Sequence, residues 1–221
     1  MTSPHQLPGP WSDIEGWFSP QRMGTFAQHS SDAEQLYIWN AHTSKAFLVD
    51  IQHVEVALRN VIDRALSSNY GVEWFDYSNH HENFPINFSA QAKKSIRKAI
   101  QRAQWAQGAP TGKVIAELTF DFWYYLLSTS YQASVWPKVR GELDGNPSRQ
   151  QFQGKVMTLY DFRNRASHHE PIIRPSVADE TAYLDEVAES VSQVAYWIAP
   201  GCSHWIRGQS TVSHWRSRRP T

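Results

Sequence analysis

The chain has 221 residues, and its 21 basic and 21 acidic side chains give a formal net charge of zero at neutral pH. This balance argues against a protein that coats nucleic acid nonspecifically, which needs a strong positive field, but it leaves room for a small phosphate site. With one cysteine, no signal-peptide core and a longest apolar run of only 122–127, we expect a cytoplasmic protein without internal disulfides or a membrane partner.

Apolar residues recur at helical spacing along the chain, and alternating strand patterns are scarce, so the sequence predicts an all-α bundle. We expect three regions. These are a loop-rich N-terminal extension at 1–30 with a short helix near 11–18, a helical domain at 31–200, and a short basic tail at 201–221. For the tail, a disordered end is favoured over a nucleic-acid-binding arm.

The first long helix is predicted to begin at Ser31 or Asp32 and to end before Gly71, with one break near residues 42–44. The later helices are predicted at 89–107, at 114–127 with a break near Thr119, at 132–140, from Asn146-Pro147 to about Glu170, and at 179–198.

The predicted helix at 89–107 carries a basic face. Lys94, Lys98 and Arg102 recur every four residues, and the segment between Asn83 and Ala116 contains no acidic residue. Such a face is a candidate for RNA binding. A run of like charges is usually only a solvent-exposed face of a helix, so we favour that interpretation. Such a face would be complementary in charge to the acidic last helix.

The helix opened by Asn146 carries an arginine on its apolar stripe. Phe152, Val156 and Leu159 are followed at the same spacing by Arg163, which must be paired internally or line a pocket because an unpaired buried charge is costly. Asn164 lies four residues before His168, so its amide can orient that imidazole.

Glu55 interrupts the apolar stripe of the first long helix, and Arg59 follows it four residues later. A simple intrahelical pair of these two residues is the favoured interpretation. The alternative is that the two interrupted stripes face each other and bring Glu55 against Arg163.

Arg163, Asn164 and His168 match the R-N-x-x-x-H form of the motif of HEPN domains. More specifically, several segments resemble Abi-like (abortive infection) bacterial proteins over residues 37–171. These are Tyr37-Ile38-Trp39-Asn40, Ala46-Phe47-Leu48, Val54-Glu55-Val56-Ala57-Leu58-Arg59-Asn60, Phe120-Asp121-Phe122-Trp123 and Phe162-Arg163-Asn164-Arg165-Ala166-Ser167-His168-His169.

The resemblance implies a HEPN-like helical bundle, a homodimer with one composite cleft, and a metal-independent endoribonuclease associated with phage defence. RNA is then the substrate, no cofactor is needed, and an antitoxin or a phage-derived trigger is a further candidate partner. On this interpretation Arg163 binds the phosphate, His168 transfers protons, and Asn164 orients the His168 imidazole. Arg165, His169, Glu55 and Arg59 are supporting candidates.

Other interpretations remain beside this one. His168 and His169 would serve equally as plain caps of a helix C-terminus. Two triplets, His80-His81-Glu82 and His168-His169-Glu170, suggest metal binding, but adjacent helical side chains diverge by about 100°, so neither chelates one ion easily. A non-catalytic HEPN-type module that binds RNA or a protein partner is the second functional hypothesis.

Overall fold

The computed structural model describes residues 11–77 and 86–221, which form eleven α-helices, two short 3-10 turns and no strand. In chain order the helices are α1 (Trp11–Phe18), α2 (Pro20–Ala27), α3 (Ala33–Tyr70), α4 (Ala90–Ala103), α5 (Thr111–Glu117), α6 (Phe120–Leu126), α7 (Trp136–Arg140), α8 (Arg149–Ser167), α9 (Val177–Ile198), α10 (Pro200–Gln209) and α11 (Val212–Arg216). The predicted all-α class is confirmed for the described residues.

α3 is the helix on which most of the others pack. The carboxylate of Asp32 accepts a hydrogen bond from Gln35 N and caps its start, and Gly71, at a φ of 93°, ends it. Both predicted ends are confirmed. The predicted break near 42–44 is wrong, because Thr43 and Ser44 are buried within one continuous helix of 38 residues.

α8 and α9 lie against α3 and enclose the centre of the core with it. The α8 stripe is fully buried as far as Phe162, whose ring lies 4.9 Å from that of Phe47 in α3. α6 contacts both α3 and α8. One face of α8 is therefore fixed against two other helices, and this contact is where the candidate site lies.

Several helix ends differ from those predicted. α8 begins after Ser148, which forms a reciprocal capping box with Gln151, because Asn146 is held at a φ of 50° and its side chain accepts from Arg140 Nε at 2.6 Å. α4 ends at Ala103, since Gln104 takes a left-handed conformation. The predicted break near Thr119 separates α5 from α6.

The N-terminal region is more helical than expected. In place of loops with one short helix, α1 and α2 follow each other directly, and Met23 and Phe26 of α2 are fully buried. The expected short helix at 11–18 is present as α1. Residues 1–10 of the expected extension lie outside the described residues.

The C-terminal segment is not a disordered tail. Trp215 of α11 stacks on His42 of α3 at 4.0 Å, and its carbonyl accepts from Trp39 Nε1 at 2.8 Å. Arg219 lies 2.6 Å from the buried carboxylate of Glu180 in α9. Arg216 and Arg219 therefore pair with acids of α9, and aromatic packing adds to the order of this segment.

Among the described residues, no helix combines the length and the apolar character that a membrane crossing requires. The same residues contain no group of three or more His, Cys, Asp or Glu side chains able to hold a metal ion. The triplet His80-His81-Glu82 lies outside the described residues.

Candidate functional site at the contact of α3, α6 and α8

An ion pair joins α3 to α8. Arg163 Nε lies 3.9 Å from Glu55 Oε2, with 37% of the arginine side chain and 26% of the glutamate side chain exposed. The two residues are those that interrupt the apolar stripes of their helices. Of the two interpretations of Glu55, the structure has the less favoured one, in which the two interrupted stripes face each other. The Arg163 side chain remains partly exposed.

Asn164 contacts the arginine that precedes it. Arg163 Nη1 donates to Asn164 Oδ1 at 3.4 Å, and the Asn164 amide lies close enough to the Tyr160 hydroxyl, one turn earlier on α8, to lower the pKa of that hydroxyl. The expected contact of this amide with the His168 imidazole is not formed; among the described residues, His168 meets Asn164 only through a backbone hydrogen bond of 2.9 Å. Asn164 thus orients Arg163 rather than His168.

Asp121 brings a second carboxylate from α6. Burial raises the pKa of the Tyr160 hydroxyl, and the nearby Asp121 carboxylate raises it further. The Tyr160 ring is stacked with Tyr124 of α6 at 5.0 Å and 10°. A chain of polar contacts therefore runs from Asp121 through Tyr160 and Asn164 to Arg163.

Burial raises the pKa of the Glu55 carboxyl above its ordinary value, and the Asp121 charge adds to this, while Arg163 and Arg59 oppose it. Arg59 thus acts on Glu55 electrostatically, although its Nε is buried with no hydrogen-bond partner among the described residues. Two guanidiniums and two carboxylates therefore meet here with balanced formal charges, and the partly exposed Arg163 is the group that can donate to a phosphate.

The two histidines lie at the end of α8. His168 is the C-cap residue, and His169 follows at a φ of 58°, the left-handed position that glycine usually occupies. Glu170 N donates to Arg165 O at 2.9 Å and His169 N to Ala166 O at 3.1 Å, which together form a Schellman motif. Both imidazoles are exposed. The alternative interpretation, in which His168 and His169 cap the C-terminus of the helix, therefore describes their backbone positions.

Arg165 closes this end of the helix. Its Nη1 donates to Pro171 O at 2.8 Å, and its Nη2 lies 3.6 Å from Glu170. It holds the segment after α8 in place and forms its ion pair with Glu170 and not with Glu55. Its predicted supporting role is therefore structural in this arrangement.

The basic face of α4 is solvent-exposed. Lys94, Lys98 and Arg102 are all exposed, and none forms an ion pair with another described residue. The expectation that the acidic last helix complements this face is wrong, since Glu186, Asp185 and Glu180 of α9 pair instead with Lys155, Arg216 and Arg219. The face remains a candidate for a phosphate backbone.

The structure brings Glu55, Arg59, Arg163 and Asn164 together and leaves His168 and His169 beyond the helix end. Asp121 and Tyr160 were not predicted as site residues. Their signals were present: Tyr160 lies one helical turn before Asn164, and Asp121 stands in an aromatic segment within the resemblance.

Comparisons of this chain with protein-family models, curated proteins and solved structures find no match.

Proposed function

We propose that this chain is a metal-independent endoribonuclease of the HEPN type, related to Abi-like proteins, that acts as a toxin-like phage-defence protein. The observation that carries the proposal is the pair of Glu55 and Arg163 at 3.9 Å, with Asn164 beside it. Residues from two separate segments of the resemblance therefore meet at one partly exposed guanidinium, that of Arg163. An antitoxin or a phage-derived trigger is the kind of partner that would control such an activity.

The proposed reaction uses the nucleophile that RNA carries. The 2′-oxygen attacks the adjacent phosphorus while a base takes its proton, and the bond from phosphorus to the 5′-oxygen breaks as an acid protonates that oxygen. The products are a 2′,3′-cyclic phosphate and a 5′-hydroxyl. Arg163 binds the phosphate oxygens as charge develops on them, and His168 transfers a proton.

One chain does not bring these two groups together. Arg163 and His168 are five residues apart, which on an α-helix is a rotation of about 140° and a rise of about 7.5 Å. In the proposed homodimer, two copies of the α8 end face each other, so that His168 of one subunit approaches the Arg163 cluster of the other. The exposed imidazole at the helix end is free to make that approach.

The basic face of α4 is proposed to guide the RNA strand. α4 borders the site, because Gln91 and Ser95 of α4 line a common cavity with Asp121 and Tyr125 of α6. The row of exposed cations on the same helix, without ion-pair partners among the described residues, offers contacts to successive phosphates without sequence preference.

The test is cleavage of RNA by the purified full-length chain in EDTA, with Arg163→Ala and His168→Ala. Arg64→Ala is the matched ion-pair control, since Arg64 pairs with Glu142 at 2.6 Å elsewhere on α3, and His204→Ala is an exposed-histidine control. We expect the wild type and both controls to produce 2′,3′-cyclic phosphate ends. The cleavage rate of each of the two site variants should be lower by at least about a hundredfold.

Light scattering on the same samples tests the homodimer. Mixing Arg163→Ala with His168→Ala should restore part of the cleavage if the site is composite, because a mixed dimer keeps one site with both groups. A monomeric wild type that cleaves RNA would contradict the composite site but not the ribonuclease.

The second candidate is a HEPN-type module that binds RNA or a protein partner without cleaving it. It is favoured by the separation of Arg163 from His168 within one chain and by the involvement of both histidines in the helix end. RNA binding that is equal in the wild type and His168→Ala, with no cleavage by either, would support this module.

A further inference from the structure

A cavity of about 600 Å³ lies between α2, the first half of α3 and the C-terminal end of α8. We call it the α2–α3 cavity; the residues that define it here are Phe18, Arg22, Tyr37, Ser44, Lys45 and His169. Its volume is within the range of about 300–1,000 Å³ typical of small-ligand sites. The ion pair of Glu55 and Arg163 is not part of it, so it is a separate feature.

Three basic side chains from three different elements line the α2–α3 cavity: Arg22 of α2, Lys45 of α3 and His169 after α8. Among the described residues, no carboxylate lies within 4.0 Å of any of them. The one acidic residue of the lining, Glu170, lies 3.6 Å from Arg165. The cavity therefore offers a net positive surface to an anionic group.

An aromatic wall faces this charge. Phe18, 41% exposed, lies 5.2 Å from Tyr37 ring to ring, and the Arg22 guanidinium lies 5.8 Å from the Tyr37 centroid. Phe18 and Tyr37 both line the cavity, and aromatic side chains in such a lining can stack with a planar ligand. Arg22 stands next to that surface, where it can hold a phosphate joined to a stacked base.

Ser44 adds a polar group to the lining. It is 8% exposed, and its hydroxyl is buried without a hydrogen-bond partner among the described residues. A buried hydroxyl without a partner is unfavourable. A ligand oxygen in the cavity is one way to satisfy it, so the lining is more polar than packing alone requires.

The position of the cavity relates it to the proposed reaction. Ser167 and His169, the neighbours of His168 on either side, both line it. A nucleotide seated there would have its phosphate at the end of α8, one residue from the proposed proton-transfer group. The α8 terminus would then present the RNA backbone to His168.

We infer that the α2–α3 cavity binds one phosphorylated nucleoside unit, with the base against Phe18 and Tyr37 and the phosphate at Arg22, Lys45 and His169. The inference rests on the proposed function in one respect: the unit belongs to the RNA strand and flanks the cleaved bond. A free nucleotide has the same chemistry, and the test separates the two sources.

The first arm is calorimetric titration of the full-length chain with adenosine 5′-monophosphate, ribose 5-phosphate and adenosine. We expect the monophosphate to bind at least about tenfold more tightly than either part, because the base and the phosphate contact different walls. Arg22→Ala and Lys45→Ala should each weaken it about tenfold or more. Lys113→Ala, which removes an exposed cation of α5, should not.

The second arm measures RNA. Arg22→Ala and Lys45→Ala should raise KM for cleavage and leave kcat within about twofold, and they should weaken binding of an oligonucleotide whose 2′-deoxy linkages prevent cleavage. If the wild type cleaves no RNA but these two substitutions still weaken binding of the oligonucleotide, the cavity is a nucleotide site and the proposed ribonuclease activity is refuted.

Two results would overturn the inference. One is equal binding of the monophosphate by the wild type, Arg22→Ala and Lys45→Ala, or none by any of them. The other is nucleotide binding that depends on both residues while RNA affinity and KM stay unchanged, since the site would then serve a free nucleotide and not the strand.

Discussion

The Glu55 carboxylate lies 3.9 Å from the Arg163 guanidinium, although 107 positions separate them in the sequence, because two interrupted apolar stripes face each other. The contact fixes the orientation of the guanidinium and leaves part of it open to a phosphate. It connects a packing detail of α3 to the proposed chemistry of α8.

Glu55→Gln should lower the rate of RNA cleavage by about tenfold, because the amide no longer fixes the Arg163 fork electrostatically. The loss of unfolding free energy should be under about 1 kcal/mol, since the pair is partly solvent-screened. Cleavage rates and urea denaturation check both. Glu142→Gln, at the Arg64 pair, is the control and should leave cleavage unchanged; an equal loss there would remove the special role of Glu55.

Tyr160→Phe should also slow cleavage by about tenfold, since it removes the hydroxyl that links Asp121 to Asn164. The matched control is Tyr124→Phe, because the two rings are stacked and the Tyr124 hydroxyl interacts with Gln153 instead. Cleavage that falls equally in both variants would indicate a packing effect and not the polar chain.

Asp50 gives a pH-dependent prediction for stability. Its carboxyl is 5% exposed and accepts from Ser210 Oγ at 2.6 Å, and burial raises its pKa. The folded state therefore holds this proton more tightly than the unfolded chain, so the contribution of Asp50 to stability declines as pH rises from about 4 through the raised pKa.

Asp50→Asn removes that titration. Its unfolding free energy relative to the wild type should therefore increase between about pH 4 and pH 7. Urea denaturation at the two pH values measures the difference. A difference that is constant, or that decreases over this interval, would contradict the assigned cause.

His169→Gly should raise the unfolding free energy by about 1 kcal/mol, because glycine adopts the left-handed conformation at a φ of 58° without a Cβ penalty. It should also weaken nucleotide binding in the α2–α3 cavity. His168→Gly is the control, since His168 has a φ of −87° and gains nothing from glycine. Thermal denaturation and calorimetry report the two effects separately.

Arg219→Ala should destabilise the fold by about 3–5 kcal/mol, because it leaves the Glu180 carboxylate, 2% exposed, without its partner. Arg216→Ala is the contrast: Asp185, its partner, is 63% exposed, and the loss should stay under about 1 kcal/mol. Urea denaturation of both variants is the measurement. Similar losses would mean that the C-terminal contacts do not depend on burial.

Local signals in the sequence were sufficient for the long helices. Asp32 and Gly71 predicted both ends of α3, and the break near Thr119 was visible as a change in pattern. The start predicted at Asn146-Pro147 is wrong because the Asn146 side chain accepts a hydrogen bond from Arg140, and Ser148 caps the helix instead. That competition is tertiary and has no local signature.

The candidate site was predictable only in part. Interrupted stripes marked Glu55 and Arg163 as unusual, but whether Glu55 paired within its helix or across to α8 depended on which helices pack together. The order of the C-terminal segment likewise depended on α9 and α3, which supply Glu180 and His42 as partners. Its basic composition alone could not indicate them.

Because α3 is unbroken, it fixes the distance between the two places that it connects. Lys45, on the wall of the α2–α3 cavity, and Glu55, behind the Arg163 clamp, are ten residues apart on one unbroken helix, which fixes their separation along its axis at about 15 Å. On the proposed function, an RNA strand that occupies the cavity and also reaches Arg163 must cover this separation. The shortest RNA able to contact both places would then be set by the length of α3 between them.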